Sequence, residues 1–340
     1  MCAVPKCFDV KNDMTESRLD IAAELTYVVP EEEAGIQLRT VLRSRLNLSR
    51  RLLTRLKTVE RAITVNGMER YNDRPLTVRD RLSGGDVVHV QIAEETVDYI
   101  EPEPIPVDVV YEDDDILIVN KPAGLVVHPT KGYPNGTLAN GVVHYWRLKG
   151  EQTRFRPANR LDQETSGLLI VAKHGHAHHQ LSDQMQNDEV WKQYEAFVYG
   201  VPTPGEGTVH APIDRDKEQP HLRVVTPDGY DSITHYDVLE TYNDEAARVS
   251  CRLETGRTHQ IRVHMQHLGC PLLGDKFYAS NELARTPFLQ AAIAPLSRHA
   301  LHASELRFLH PMTGVPLQFT AKLPPELEQL RERLRQGSES

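Results

Sequence analysis

The sequence predicts an α+β protein with a mainly antiparallel, mixed-sheet core and a small α/β module ahead of it. Three observations carry that prediction. Short apolar runs bounded by Gly, Pro and Asn recur from residue 107 to residue 321, helical periods are few, and the two patterns do not alternate as βαβ units do. A chain of 340 residues is long enough for two domains and at least one sizeable core. An apolar fraction of 39% and a charged fraction of 26% suit a globular chain in water.

Taken in order, residues 1–22 mix charge without any period and read as a mobile leader. They lack the apolar stretch of a secretory signal, and nowhere is there an apolar run long enough to span a membrane. The four cysteines, Cys2, Cys7, Cys251 and Cys270, are too scattered for a disulfide framework or a zinc site. A reduced, cytoplasmic protein is the expectation.

Residues 23–93 form the predicted small module. Leu38, Val41, Leu42 and Leu46 fall at helical spacing, and Ser49 is placed to cap a second helix bearing Leu52, Leu53 and Leu56. Ala62 to Val65 reads as a strand, Asn66-Gly67 as a tight turn, and Val87 to Ile92 as an alternating strand. Between the apolar positions sit Arg39, Arg43, Arg45, Arg50, Arg51, Arg55, Lys57 and Arg61, with Glu60 the only acid in that span. A solvated helix face normally interleaves acids, whereas clustered arginine on a compact surface marks phosphate binding. The net charge of −9 argues weakly against nucleic acid, but a local patch outweighs the sum. The helix pair around Leu48-Ser49-Arg50, the Val65-Asn66-Gly67 turn and Gly85-Asp86-Val87 resemble the S-four-like RNA-binding domain. That resemblance makes Arg43, Arg50, Arg51, Arg55 and Lys57 candidate RNA contacts.

Residues 94–106 are acidic and contain Glu-Pro-Glu-Pro, the composition of a stiff, extended linker. The second domain, residues 107–335, opens with strands at Val107–Val110 and Ile116–Asn120. A further extended run is expected at Leu125–Pro129, then a helix over Leu138–Trp146 and a buried strand over Leu168–Ala172. A helix over His178–Asn187 follows, with strands at Tyr194–Tyr199, Ser232–Leu239 and Ala247–Leu253. His259–His267 reads as a helix, Leu301–Phe308 and Gln318–Ala321 as strands, and Pro324-Pro325-Glu326 as the start of a charged last helix. There is no Walker or Rossmann glycine pattern.

Three places concentrate reactive side chains. Asp162 follows Arg160 on a polar loop that feeds the buried strand through Gly167. By local physics alone it is an ordinary turn aspartate bonding nearby amides. Tyr194 opens its strand after Lys192-Gln193. Arg257-Thr258-His259-Gln260-Ile261-Arg262 lies at a helix start, where amides attract anions, and Arg262 falls among apolar neighbours, where a charge needs a partner. Asp162 is the candidate partner; an adjacent guanidinium favours an ionised acid, which suits a nucleophile. His174, His176, His178 and His179 invite a metal reading, but no Cys or acid stands at zinc-like spacing, and a structural role is favoured. A glycosidase pair, Asp162 with Glu164, leaves the basic module without a use.

Four segments resemble the RluA-type RNA pseudouridine synthases. They are Tyr111-Glu112-Asp113 through Asn120-Lys121-Pro122-Ala123-Gly124, Arg160-Leu161-Asp162 with Thr165-Ser166-Gly167-Leu168, Thr255 to Arg262, and Arg298 to Ala303 with His310-Pro311. The resemblance implies the pseudouridine synthase fold, Asp162 as the catalytic aspartate, Arg262 as its ion-pair partner and Tyr194 as the aromatic residue on the target base. It also implies RNA contacts from Arg160, Arg257, His259 and Gln260, with no cofactor and no metal. The expected substrate is structured RNA, ribosomal before transfer RNA, handled by a monomer without an obligate protein partner; a non-catalytic RNA-binding protein is the remaining alternative. One departure is Asn159, where the family usually has His.

Overall fold

A computed structural model of the chain describes residues 19–95, 99–279 and 286–338. Most of the expected leader, with Cys2 and Cys7, lies outside the described residues, as does part of the expected linker. The chain divides into two compact units, Met1–Val97 and Asp98–Ser340.

In the first unit, β1 (Leu19–Val28), β2 (Ile63–Val65) and β5 (Val87–Glu95) form an antiparallel sheet in the order β1-β5-β2, and the short β3 (Arg70–Tyr71) and β4 (Arg74–Pro75) pair with each other. The strand β1 corrects the expected boundary at residue 22. Ala23, Leu25 and Tyr27 alternate against the core, and Leu25 pairs with Val90 and Tyr27 with Val88, so this segment is sheet from Leu19 onward. Helix α1 (Leu38–Thr40) runs into a wider π-type turn, Val41–Arg45, which ends where the Leu46 amide bonds the Val41 carbonyl at 2.9 Å. Helix α2 (Arg50–Leu56) is capped by Ser49, whose hydroxyl accepts from the Leu52 amide at 3.1 Å. Leu38, Val41, Leu42, Leu52, Leu53 and Leu56 are buried against Val88, Val90 and Ile92. At the tight turn, Asn66 and Gly67 both take positive φ, 53° and 76°, and the Asn66 amide group donates to Asp86 at 2.8 Å.

The second unit contains β6 (Val109–Glu112), β7 (Ile116–Lys121), α3 (Leu138–Leu148), β8 (Arg156–Pro157), β9 (Ser166–Ala172), α4 (Gly175–Gln186), β10 (Trp191–Tyr199), β11 (Glu206–His210), β12 (Ile213–Arg215), β13 (Arg223–Val225), β14 (Ile233–Tyr242), β15 (Ala246–Leu253), α5 (Gln260–His267), α6 (Pro287–Ile293), β16 (Leu301–Leu309), β17 (Pro316–Thr320) and α7 (Pro325–Ser338). A large sheet runs in the order β11-β14-β15-β10-β16-β9-β7-β6, with β17 added to β16 and β8 to β9. Its pairings are antiparallel except β9 with β16, where Ser166 meets His302 and Gly167 meets Ala303. The predicted mainly antiparallel core is therefore observed. β12 and β13 form a separate hairpin.

Strands β7 and β9 are buried on both faces, which is why they read as unbroken apolar runs. Leu117, Val119, Leu169 and Val171 pack with Val142 and Trp146 of α3, while Ile116, Ile118, Leu168 and Ile170 pack with Ala177 and Leu181 of α4. Gly167 has φ 114°, and a Cβ there would stand 2.2 Å from the Ala303 carbonyl oxygen. The parallel junction thus requires glycine.

Three expectations need correction. Leu125–Pro129 is not a strand: the Val126 and Val127 carbonyls are turned to accept the first amides of α3, from Leu138 at 2.8 Å and Ala139 at 3.1 Å. The linker is not a free tether over its second half. Asn140 of α3 donates to the Glu101 carbonyl at 2.7 Å, Glu103 bonds the Asn140 carbonyl, and the Glu103 carboxylate accepts from the Gly136 amide. Helix α4 starts three residues early because His174 caps it, Nδ1 accepting from the Ala177 amide at 3.2 Å.

Candidate active site

The loop carrying Asp162 is fixed from several directions. Lys121, fully buried, donates Nζ to the carbonyls of Pro122, Leu125 and Gln163 at 2.8, 2.8 and 3.0 Å. Burial pulls the Lys121 ammonium down to about 7, yet the three carbonyls match its three donors. Gly124 and Gln163 exchange two further hydrogen bonds. On the other side Thr165 Oγ1 bonds His299 Nε2 at 2.8 Å, and Arg298 Nη1 donates to the carbonyls of Glu164, His299 and Leu301. Desolvation pushes His299 down to about 3, so its ring is a neutral partner. A carboxylate so supported keeps its geometry when the site is filled.

Arg262 donates Nη1 to Asp162 Oδ2 at 3.1 Å, as the sequence predicted. Its principal partner, however, is Asp275: Nε to Oδ2 at 2.7 Å and Nη2 to Oδ1 at 2.9 Å, a two-pronged pair in which both residues are 3% exposed. Burial raises Asp275, but hydrogen bonds and charge from Arg262, with the Phe277 amide, outweigh it and hold the carboxyl below its usual value. The expected Arg262–Asp162 pair is present but only partly buried. The fully buried pair is Arg262–Asp275, and Asp162, with its side chain 23% exposed, takes an N–H of the remaining nitrogen, Nη1. Tyr278 stacks over the Arg262 guanidinium at 4.8 Å and bonds His259 Nδ1 at 2.7 Å. His259 Nε2 stands 3.9 Å from Asp162 Oδ2.

These groups border a cavity of about 540 Å³, lined among others by Arg160, Asp162, Tyr194, Arg257, His259 and Arg262. Tyr194 is 7% exposed, and burial raises its phenol, which stays neutral. The structure thus brings the residues predicted from three separate segments to one opening. Arg160 and Arg257 are exposed at it, and Arg257 lies over the exposed ring of Tyr230 at 5.6 Å. Gln260 lines the wall too, but its amide is spent on the protein: Oε1 accepts from Thr255 and the Arg257 amide, and Nε2 donates to Ile233 and Thr234. It is a buried brace between β14 and α5, which corrects its reading as an RNA contact.

In the first unit Arg50, Arg51, Arg55 and Lys57 are exposed. Arg43 is half-buried and donates to the Leu48 carbonyl at 3.1 Å, tying the two helical segments together, which corrects its reading as a free phosphate ligand. Arg45 is paired with Glu33 at 2.7 Å, an acid that precedes the basic span.

Sequence reasoning missed Asp275, Tyr278, Lys121 and Arg298 as the supports of the site. Asn159 accepts the Ile170 amide at 2.8 Å through Oδ1, while its buried Nδ2 has no partner among the described residues. Among the histidines, His174 Nε2 bonds Asp115 at 2.8 Å and the ring of His176 is buried, a structural arrangement. Asp113, Asp115 and His310 gather within 4.8 Å, but His310 Nδ1 accepts two backbone amides and its Nε2 bonds Asp113 at 3.0 Å, so they form a latch between β7 and the end of β16.

The comparisons with known proteins agree on one family. The family model described as RNA pseudouridylate synthase matches residues 115–267. The chain is 43% identical to ribosomal large subunit pseudouridine synthase D of Xanthomonas campestris, over 76% of this chain and 79% of that one. It is 37% identical to the protein of the same name from Escherichia coli, over 92% and 94%. Among solved structures, human RNA pseudouridylate synthase domain containing 4 matches with a TM-score of 0.54 at 27% identity, over 67% of this chain and 93% of that one.

Proposed function

The chain belongs to the RNA pseudouridylate synthase family, and we propose that it isomerises uridines of large-subunit ribosomal RNA with Asp162 as the reacting group. The observation that carries the reading is the Asp162 carboxylate on a braced loop at the cavity, ion-paired to Arg262, whose other nitrogens are clamped by Asp275.

The chemistry asks little else of the protein. The bond from uracil N1 to ribose C1′ breaks, a bond from C5 to C1′ forms, C5 loses a proton and N1 gains one. Nothing is oxidised or reduced. The step needs a fixed carboxylate, either as nucleophile at the ribose or as base, and a closed space in which the freed ring turns. Arg262 holds Asp162 aimed. Tyr194, neutral and only 7% exposed, is the aromatic wall for the base. The target must leave its stack, and in this reading Arg160, exposed at the cavity, fills the gap. The ribosomal substrate is supported by the names of the relatives from X. campestris and E. coli. We also infer that the first unit is an S-four-like RNA-binding domain that supplies affinity through its exposed arginines.

Pseudouridine mapping of ribosomal and transfer RNA from cells with and without the gene tests the assignment. Loss of one or more sites in large-subunit RNA is expected, restored by the wild type and not by Asp162→Asn, which keeps volume and removes charge. Loss confined to transfer RNA overturns the substrate, and restoration by the Asn variant overturns the role of Asp162.

A further inference from the structure

His259 sits in a conformation that its neighbours have to enforce. It precedes α5 with φ 60° and ψ 17°, left-handed backbone that a residue with a side chain seldom takes. The ring is half-buried, edge-on to Tyr278 at 5.6 Å and 79°, and hydrogen-bonded to it. The Tyr278 hydroxyl accepts from the Arg223 amide of β13 at 2.9 Å, and in the Nε2–H tautomer of His259 its own proton points to Nδ1. Burial lifts the phenol to about 12, which keeps that proton in place. With Nδ1 an acceptor, the imidazole hydrogen resides on Nε2, the nitrogen 3.9 Å from Asp162 Oδ2. Arg262 contacts the same oxygen at 3.1 Å.

We propose that His259 is a positioning residue for the reaction: its Nε2–H closes onto Asp162 Oδ2 when uridine fills the cavity, and with Arg262 it leaves Oδ1 as the reacting oxygen. The chain Arg223 amide, Tyr278 hydroxyl, His259, Asp162 also ties the β12–β13 hairpin to the carboxylate. The groups facing the ring are Asp162, Arg262, Arg223, Asp275 and Tyr278. Burial is the largest influence and holds the imidazole below its ordinary 6.5, Asp162 opposes this, and Arg262 and Arg223 reinforce it. The ring therefore works neutral, and protonation at Nδ1 forces the Tyr278 bond to reverse.

The inference rests on Asp162 being the reacting group, so Asp162→Asn runs beside every variant, with kcat, KM, the pH profile and melting measured on the full chain and ribosomal RNA. His259→Asn suits left-handed backbone but cannot reach Oδ2. Its kcat is expected to fall roughly 10²-fold with KM held, the scale of a misplaced reacting group. His259→Gln, whose amide reaches about as far as Nε2, recovers part of that rate and loses the acid limb lying below pH 6.5 in the wild type. Tyr278→Phe removes the donor that favours neutral imidazole, so the acid limb moves to higher pH. Wild-type kcat in both His259 variants overturns the proposal, as does a fall in melting with an unchanged pH profile, which is a structural role. An active Asp162→Asn overturns the underlying assignment instead.

Discussion

The first unit carries a cluster of cations outside, and the second buries a set of them around the Asp162 loop. Arg39, Arg50, Arg51, Arg55 and Lys57 are exposed on α1 and α2 and the turn after them, whereas Lys121, Arg262 and Arg298 are no more than 3% exposed around the Asp162 loop. The exposed set keeps its hydration and, in the proposed reading, meets RNA phosphates. The buried set is desolvated, and every one of its members is answered by carbonyls or a carboxylate. The same residue type thus serves affinity where water reaches it and geometry where water does not.

The sharpest way to break that contrast is Arg262→Leu. It leaves the Asp275 charge buried without its partner, an expected loss of about 3–5 kcal/mol by denaturant unfolding, together with loss of activity. Unchanged stability would mean that the pair is not the anchor it resembles. The pH dependence has a definite sign. Because Asp275 is held below its ordinary value of 3.8, its contribution is fully present above that value and drains away as pH falls through the lower folded one. The Leu variant should lack that part of the acid transition.

Gly167→Ala probes the scaffold beneath the buried charges. A methyl would meet the Ala303 carbonyl at 2.2 Å on a backbone of positive φ, so thermal unfolding should report a loss of about 1–3 kcal/mol. Its expected second effect is a lower kcat, because β9 carries the loop. Full stability in this variant would show that the β9–β16 junction relaxes freely.

The smallest effect on folding, and the sharpest test of the exposed set, is the double change Arg50→Gln and Arg51→Gln. Stability should stay within about 0.5 kcal/mol. RNA affinity should fall, and the slope of log affinity against log salt should flatten by about one to two. Saturating RNA should then restore turnover. A double variant with the wild-type salt slope would turn the outer arginines into ordinary solvated side chains.

Much of this was legible in the sequence because it depends on local pattern. The run from Leu168 to Ala172, the glycine before it, the Ser49 cap and the Asn66-Gly67 turn each follow from periodicity or backbone preference. Arg262 was legible as buried because its neighbours on α5 are apolar. Its strongest partner was not, since Asp275 sits after Gly274 in what reads as an ordinary turn, and nothing local says that a guanidinium lies across from it. Gln260 failed for the opposite reason: a polar residue beside arginine and histidine looks like surface until β14 is seen to cover it. β1 was lost because its alternation begins inside a charged stretch that gives no boundary.

The place of β16 in the sheet sets an order of assembly during synthesis. β16 joins β9, β7 and β6 on one flank to β10, β15, β14 and β11 on the other, and it spans Leu301–Leu309, near the end of the chain. Until those residues leave the ribosome the sheet exists as two unjoined halves, one bearing the Asp162 loop and the other Tyr194. The closing contacts, such as Ser166 with His302, bridge long sequence separations, which slow folding. A nascent chain that has not yet reached β16 therefore lacks the strand that joins the Asp162 half of the sheet to the Tyr194 half.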